Sequence, residues 1–128
     1  MGPNSLRYAK THEWASLEGD VCIVGITQFA VDQLTDLLHL ELPAVGTPVS
    51  AGQVFAEVES VKAASDLYAP VAGEVAAVNE KLVADPSPVA DDPYGAGWMV
   101  KIKVAPGATL DHLLTAGQYQ QQVASEGP

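Results

Sequence analysis

Residues 54–69, VFAEVESVKAASDLYA, decide how the rest of the chain is read. Val54, Ala56 and Val58 alternate with Phe55, Glu57 and Glu59, the period of two that marks a half-buried strand. Asp66 to Ala69 read as a returning strand, ended by Pro70, which has no N–H to give to a ladder. Between them, Ser60 to Ser65 are small or apolar except for Lys62. Hairpin turns are mostly built from Gly, Asn, Asp or Pro. This one instead sets a single ammonium among side chains that neither pair with it nor cover it.

Lys62 has three readings. A solvated turn lysine is the commonest fate of a residue type that is mostly exposed. A catalytic amine needs burial or a cationic neighbour to lower its pKa. Glu57, Glu59 and Asp66 favour the charged form instead, which rejects that role. The third reading is a lysine displayed for covalent modification.

Outward from the hairpin, short strands and regular turn signals predict a β-sandwich or flattened barrel. Leu6-Arg7-Tyr8 opens a strand; Thr11-His12-Glu13-Trp14 leads into Ala15-Ser16-Leu17; Glu18-Gly19-Asp20 turns. Val21–Ile26 is nearly all apolar, so both faces should be covered. Thr27 is placed to cap a short helix over Gln28–Leu34, with Phe29, Ala30 and Leu34 inward. Leu37–Leu42 reads as a strand, and Val45-Gly46-Thr47-Pro48 as a turn. After the hairpin, Glu74–Val78 reads as a strand, and Asn79 as the cap of a short helix through Val83, ended by Asp85-Pro86-Ser87-Pro88. Residues 90–97 read as loop, and 98–104 alternate, with Trp98, Val100, Ile102 and Val104 inward. Thr109 is read as capping Leu110–Leu114, and Thr115 with Gln118 as a capping box for a last helix through Val123. Residues 6–123 thus form one domain. Gly2 to Ser5 read as a cloning remnant or disordered start, and Ala124–Pro128 as a frayed tail.

The chain has 128 residues, enough for a real core without disulfides or metal. Sixteen acids against six basic residues give a net charge of −10, which argues against nucleic acid or an anionic membrane as the main partner. It suits docking onto enzymes with basic patches. No apolar run approaches the ~20 residues of a membrane span. The N-terminus lacks an apolar signal core, is not an Arg-rich presequence, and does not complete a myristoylation pattern. Cys22, the one cysteine, lies in an apolar run and reads as a small core residue in a reducing compartment. His12, His39 and His112 have no metal-ligand spacing, and there is no phosphate loop or nucleophile elbow. Glu57 and Glu59 read as a solvated face rather than a catalytic acid pair.

The block Glu59-Ser60-Val61-Lys62-Ala63-Ala64-Ser65-Asp66 resembles the lipoyl-attachment motif of the H protein of the glycine cleavage system. Further blocks match in order: Tyr8 with Thr11-His12-Glu13-Trp14; Val24-Gly25-Ile26-Thr27; Glu41-Leu42-Pro43; Leu67-Tyr68-Ala69-Pro70 with Gly73-Glu74-Val75; and Asp92-Pro93-Tyr94-Gly95 with Gly97-Trp98. They run over roughly residues 6–120. The resemblance implies a mainly β fold of two antiparallel sheets, as in lipoyl and biotinyl carriers, with flanking helices and a C-terminal helix. It implies lipoate attached to Lys62 by a lipoate ligase or a lipoyl or octanoyl transferase, with Glu59, Ser60, Val61, Ala63 and Asp66 as the attachment motif. It also implies a non-catalytic carrier of the aminomethyl group of glycine. The partners would be a pyridoxal-phosphate glycine decarboxylase, an aminomethyltransferase that forms methylene-tetrahydrofolate, and dihydrolipoamide dehydrogenase. Thr11, Glu13 and Asp66 fall where a groove for the loaded arm is expected; their bland alternative is ordinary surface polarity. Gln33 stands where a relative has histidine, and Ala90 departs from the asparagine common before Asp-Pro-Tyr-Gly. The expected setting is a bacterial cytoplasm, or the mitochondrial matrix for a mature eukaryotic form.

Four rivals are separable. A biotin carrier places Met on both sides of the lysine, where Val61 and Ala63 stand here. A 2-oxoacid dehydrogenase lipoyl domain shows Asp-Lys-Ala and continues into a linker. A hydrolase using Cys22 predicts turnover that survives loss of Lys62. An H-like protein relaying lipoate to other proteins shares every motif.

Overall fold

The computed structural model describes residues 6–34, 36–61, 64–110 and 112–126. In chain order, β1 (Arg7–Tyr8), β2 (Glu13–Glu18) and β3 (Val21–Ile26) precede α1 (Gln28–Leu34) and β4 (Leu37–Glu41). Then come β5 (Pro48–Val49), β6 (Val54–Ser60), β7 (Ala64–Tyr68) and β8 (Gly73–Val78). After α2 (Lys81–Ala84) and α3 (Ser87–Asp91), β9 (Val100–Val104) leads to α4 (Ala116–Glu126). The strands form two antiparallel sheets, one ordered β1-β2-β3-β9-β8-β5 and the other β4-β6-β7.

Alternation explains what lies inside. Val24 and Ile26 of β3, Leu40 of β4, Val58 of β6, Val75 of β8, and Val100 and Ile102 of β9 are sealed from solvent in one core. Each such side chain contributes about 1.5–3 kcal/mol relative to exposure. A smaller cluster of Leu6, Tyr8, Trp14 and Tyr119 fixes α4 against β1. The Tyr8 and Tyr119 rings stack at 4.5 Å, and Tyr8 and Leu114 exchange backbone hydrogen bonds of 2.9 and 2.7 Å.

Trp14 sits opposite Gly25 in the β2–β3 ladder, and its indole donates to the Pro93 carbonyl at 2.9 Å. A Cβ on Gly25 would meet that ring at 2.7 Å. Because the indole is pinned, Gly25→Ala is expected to destabilise the fold by about 1–3 kcal/mol. Urea unfolding measures it, and an unchanged midpoint would show that Trp14 moves aside freely.

Several boundaries differ from expectation. In β6 the register slips between Val54 and Ala56, so Phe55 turns inward and is buried, while Val54 faces out. Thr27 does cap α1, its hydroxyl accepting from Ala30 N–H at 3.2 Å, but the residue α1 buries is Val31. Asn79 does not cap α2; its amide donates to the carbonyls of Ala96 and Trp98. Pro86 and Pro88 begin α3 instead of only ending α2, since a helix's first turn has no need of their missing N–H groups. Of the alternating run 98–104 only Val100–Val104 is strand, and Met99 beside it is fully buried. Among the described residues there is no helix at 110–114, where Leu114 bridges Tyr8 instead. The capping box at Thr115 is present in both directions, with hydrogen bonds of 2.9 and 3.3 Å. The helix it starts runs past Val123 to Glu126, so residues 124–126 of the expected tail are helical. Gln122 donates to Glu126 across one turn at 2.7 Å and helps extend it.

Candidate functional site

The β6–β7 hairpin carries the attachment motif. Its ladder pairs Glu57 with Asp66, Val58 with Ser65, and Glu59 with Ala64, so both arms are in register up to the turn. Lys62 and Ala63 lie outside the described residues. Around them, Val61 is exposed and its N–H donates to the Asp36 carbonyl at 3.1 Å, which ties the turn to the start of β4. Ser60 is buried opposite Leu37, and Glu59 is exposed opposite His39. Glu41, Glu57 and Asp66 stand in one row across β4, β6 and β7. Like charges directly opposed work against the sheet, so the row is not there for stability.

β7 is an edge strand, and beyond its free edge lies a cavity of about 260 Å³. Ser65 and Asp66 form one wall, Phe29 and Gln33 of α1 another, and Thr11 and His12 of the turn before β2 a third. Ile26 and Leu67 give it an apolar lining, and Glu126 at the end of α4 completes it. Its volume is just below the ~300 Å³ at which sites for whole small molecules begin. It suits the end of an arm.

Three of the expected groove residues therefore behave differently from one another. Thr11 and Asp66 line the cavity. Glu13 does not: it is fully buried behind the wall. One of its carboxylate oxygens accepts from the Thr11 hydroxyl and the other from the Tyr68 N–H at 2.9 Å. Burial pushes its pKa up from 4.5, against the lowering pull of those hydrogen bonds. The reading of Glu13 as a surface acid is thus corrected. It seats an outward-pointing N–H of the β7 edge and holds Thr11 in place.

Two cavity residues had no place in the sequence reading of the groove. His12 adopts φ +76°, a left-handed conformation that costs a non-glycine residue about 1–2 kcal/mol. It is held there by backbone bonds from His12 N to Ala9 and from Thr27 N to His12. Its Nδ1 lies 2.7 Å from the Tyr119 hydroxyl, which lies 2.7 Å from Thr27 Oγ1. Its Nε2 lies 3.2 Å from Glu126. The signal that could have found Glu126 is the helical spacing of Tyr119, Gln122 and Glu126, which puts all three on one face.

Cys22 is buried, and burial raises its thiol to about 12, which removes it as a nucleophile. No group of three or more His, Cys, Asp or Glu suited to a metal occurs among the described residues.

The glycine cleavage H-protein family profile matches residues 6–126. Glycine cleavage system H proteins of Carboxydothermus hydrogenoformans and Thermus thermophilus are 49% and 52% identical to the chain. The alignments cover 98% and 97% of it, and 96% and 97% of the relatives. The crystal structure of the H protein from Mycobacterium marinum superposes with a TM-score of 0.86 at 42% identity, over 94% of this chain and 98% of that one. With its two-sheet fold, its motif-bearing hairpin and a family match across both, the chain belongs to the glycine cleavage H-protein family.

Proposed function

We propose that lipoate is joined by an amide bond to Lys62 and that the cavity beside β7 shelters the loaded end of the arm. The chain itself is a non-catalytic lipoyl carrier of glycine cleavage, moving the aminomethyl group between enzymes of that system. What supports the attachment is the placement of the motif. Glu59 and Ala64 flank the turn in a paired, in-register hairpin, and Val61 is anchored to Asp36. What supports the shelter is that Asp66, four residues beyond Lys62, lines the cavity. Four residues span at most about 14 Å, so an arm at Lys62 starts within reach of it.

When bound, lipoate supplies a dithiolane that opens on reduction and holds the cargo on sulfur. This chain's residues do the rest. The ladder keeps the attachment point stiff, so the arm's freedom is spent on reach. Tethering raises the arm's concentration at a docked enzyme to about the millimolar range. Thr11, steadied by Glu13, and Asp66 offer polar groups to an amine. The apolar lining suits the sulfur-bearing chain.

The partners follow from this reading: a pyridoxal-phosphate glycine decarboxylase, an aminomethyltransferase, dihydrolipoamide dehydrogenase, and a lipoate ligase or lipoyl or octanoyl transferase. The acid row across β4, β6 and β7 and the net charge of −10 suit basic docking surfaces on them. We place the protein in a bacterial cytoplasm, on the bacterial relatives and the lone buried Cys22.

Reconstitution tests the carrier reading. The lipoylated protein with the three enzymes is expected to release ammonia from glycine, and the lipoylated protein alone to release none. Ammonia from the protein alone would overturn the proposal.

A further inference from the structure

One wall of the cavity beside β7 is the last turn of α4, and it carries a carboxylate held in position from both sides. Glu126 Oε1 lies 3.2 Å from His12 Nε2, and its Oε2 accepts from Gln122 Nε2 at 2.7 Å. Gln122 also donates to the Lys10 carbonyl at 2.9 Å, and His12 is fixed through Tyr119 to Thr27. The pull of Gln122, and less of His12, holds the Glu126 carboxyl below its ordinary range. Glu126 is nonetheless 41% exposed and lines the cavity.

Among the described residues that line the cavity, the carboxylates are Asp66 of β7 and Glu126 of α4. Glu13 is out of contention, because it is buried and both its oxygens are engaged. A primary ammonium carries three N–H donors and is best met by acceptors from more than one side. Asp66 and Glu126, on different elements, supply such a pair, with the Thr11 hydroxyl beside them. We infer that Glu126, oriented by His12 and Gln122, is a specificity-determining residue that recognises the primary ammonium at the end of the loaded arm. The inference rests on the reading of the cavity as the arm's shelter. It explains why the end of α4 is tied by side chains to the turn before β2. It also makes the cavity selective, since an arm without an amine gains nothing from the carboxylate.

The test uses the lipoylated protein, loaded by the decarboxylase with glycine and then freed of enzymes. Glu126→Gln keeps the shape and the hydrogen-bonding capacity but removes the charge. Two readouts are followed: the decay of the loaded form, and the reaction of the arm's remaining free thiol with N-ethylmaleimide. Cys22 is buried and does not interfere. Both rates are expected to rise about threefold to tenfold, the range for losing one partly exposed charge-assisted contact. With a neutral alkyl group in place of the aminomethyl group, variant and wild type are expected to react alike. A difference there would make Glu126 a structural prop and overturn the assignment. Gln33→Trp, an exposed position on the cavity wall, tests the shelter separately by filling it. If Gln33→Trp speeds both rates and Glu126→Gln neither, the shelter stands and the role of Glu126 fails. If neither variant changes anything, the shelter fails with it. If only Glu126→Gln acts, the carboxylate works outside this cavity, which also overturns the assignment.

Discussion

Lys62→Arg gains no lipoyl mass when incubated with lipoate, ATP and a lipoate ligase, and glycine cleavage in the reconstituted system falls to background. The cause is chemical. Acylation needs a neutral amine, and a guanidinium stays protonated at any working pH. The charge is retained, and the fold should be unaffected, since substitutions at ordinary surface positions usually change stability by less than ~0.5 kcal/mol. Loss of function without loss of fold is the informative combination. Intact mass measures the first half and urea unfolding the second. The other lysines are poorly suited as substitutes: Lys101 lies 5.0 Å over the Trp98 ring, and Lys103 sits in the ladder opposite Val21 and Glu74. A variant that still gained the lipoyl mass would move the attachment elsewhere and remove the basis for the arm's route into the cavity.

Glu13→Ala is the second large effect, and its readout is stability. Truncation strands the buried Tyr68 N–H and the Thr11 hydroxyl. An unsatisfied buried group costs about 1–3 kcal/mol, and the space left behind adds to that. Glu13→Gln separates shape from charge. Burial raises the folded-state pKa of Glu13, so the folded protein holds this proton more tightly than the unfolded chain does. The stability linked to that proton is complete below the ordinary carboxylate value of 4.5 and is lost as pH rises through the raised one. Glutamine does not titrate. The stability of Glu13→Gln relative to wild type is therefore expected to improve as pH rises from about 4.5 towards neutrality. Denaturation curves for both proteins at several pH values decide this. Parallel profiles would mean that Glu13 keeps its charge at no cost.

What was legible in the sequence was periodic. The apolar run of β3, the core of β9 and the two arms of the hairpin follow from alternation, and the capping box at Thr115 from local spacing. What was not legible depended on distant partners. Phe55 is inward because β6 slips one residue against β7, and no pattern within β6 records that. Leu110–Leu114 has a helical composition, but Leu114 is taken by Tyr8, far away in the chain. Asn79 reads as a cap, yet the carbonyls of Ala96 and Trp98 compete for its amide and win. The site divides the same way. Thr11 and Asp66 came from family resemblance, whereas the burial of Glu13 depends on an N–H 55 positions away. His12 and Glu126 meet only because α4 docks on β1 and continues three residues further than its composition suggests.

The outermost strands have a consequence for crowding. A molecule that must visit several enzymes in turn is best served by not pairing with its own copies. Exposed strand edges invite such pairing and, at high concentration, aggregation. Each of the four edges here is poorly suited to it. β1 is two residues long and covered by Leu114; β5 is two residues long and begins with Pro48. β4 is broken by an irregularity between Leu37 and His39, and an edge N–H of β7 is already occupied by Glu13. The same carboxylate that steadies the arm's wall therefore also closes a route to fibrils, so Glu13→Ala should shorten the lag before aggregation in concentrated solution.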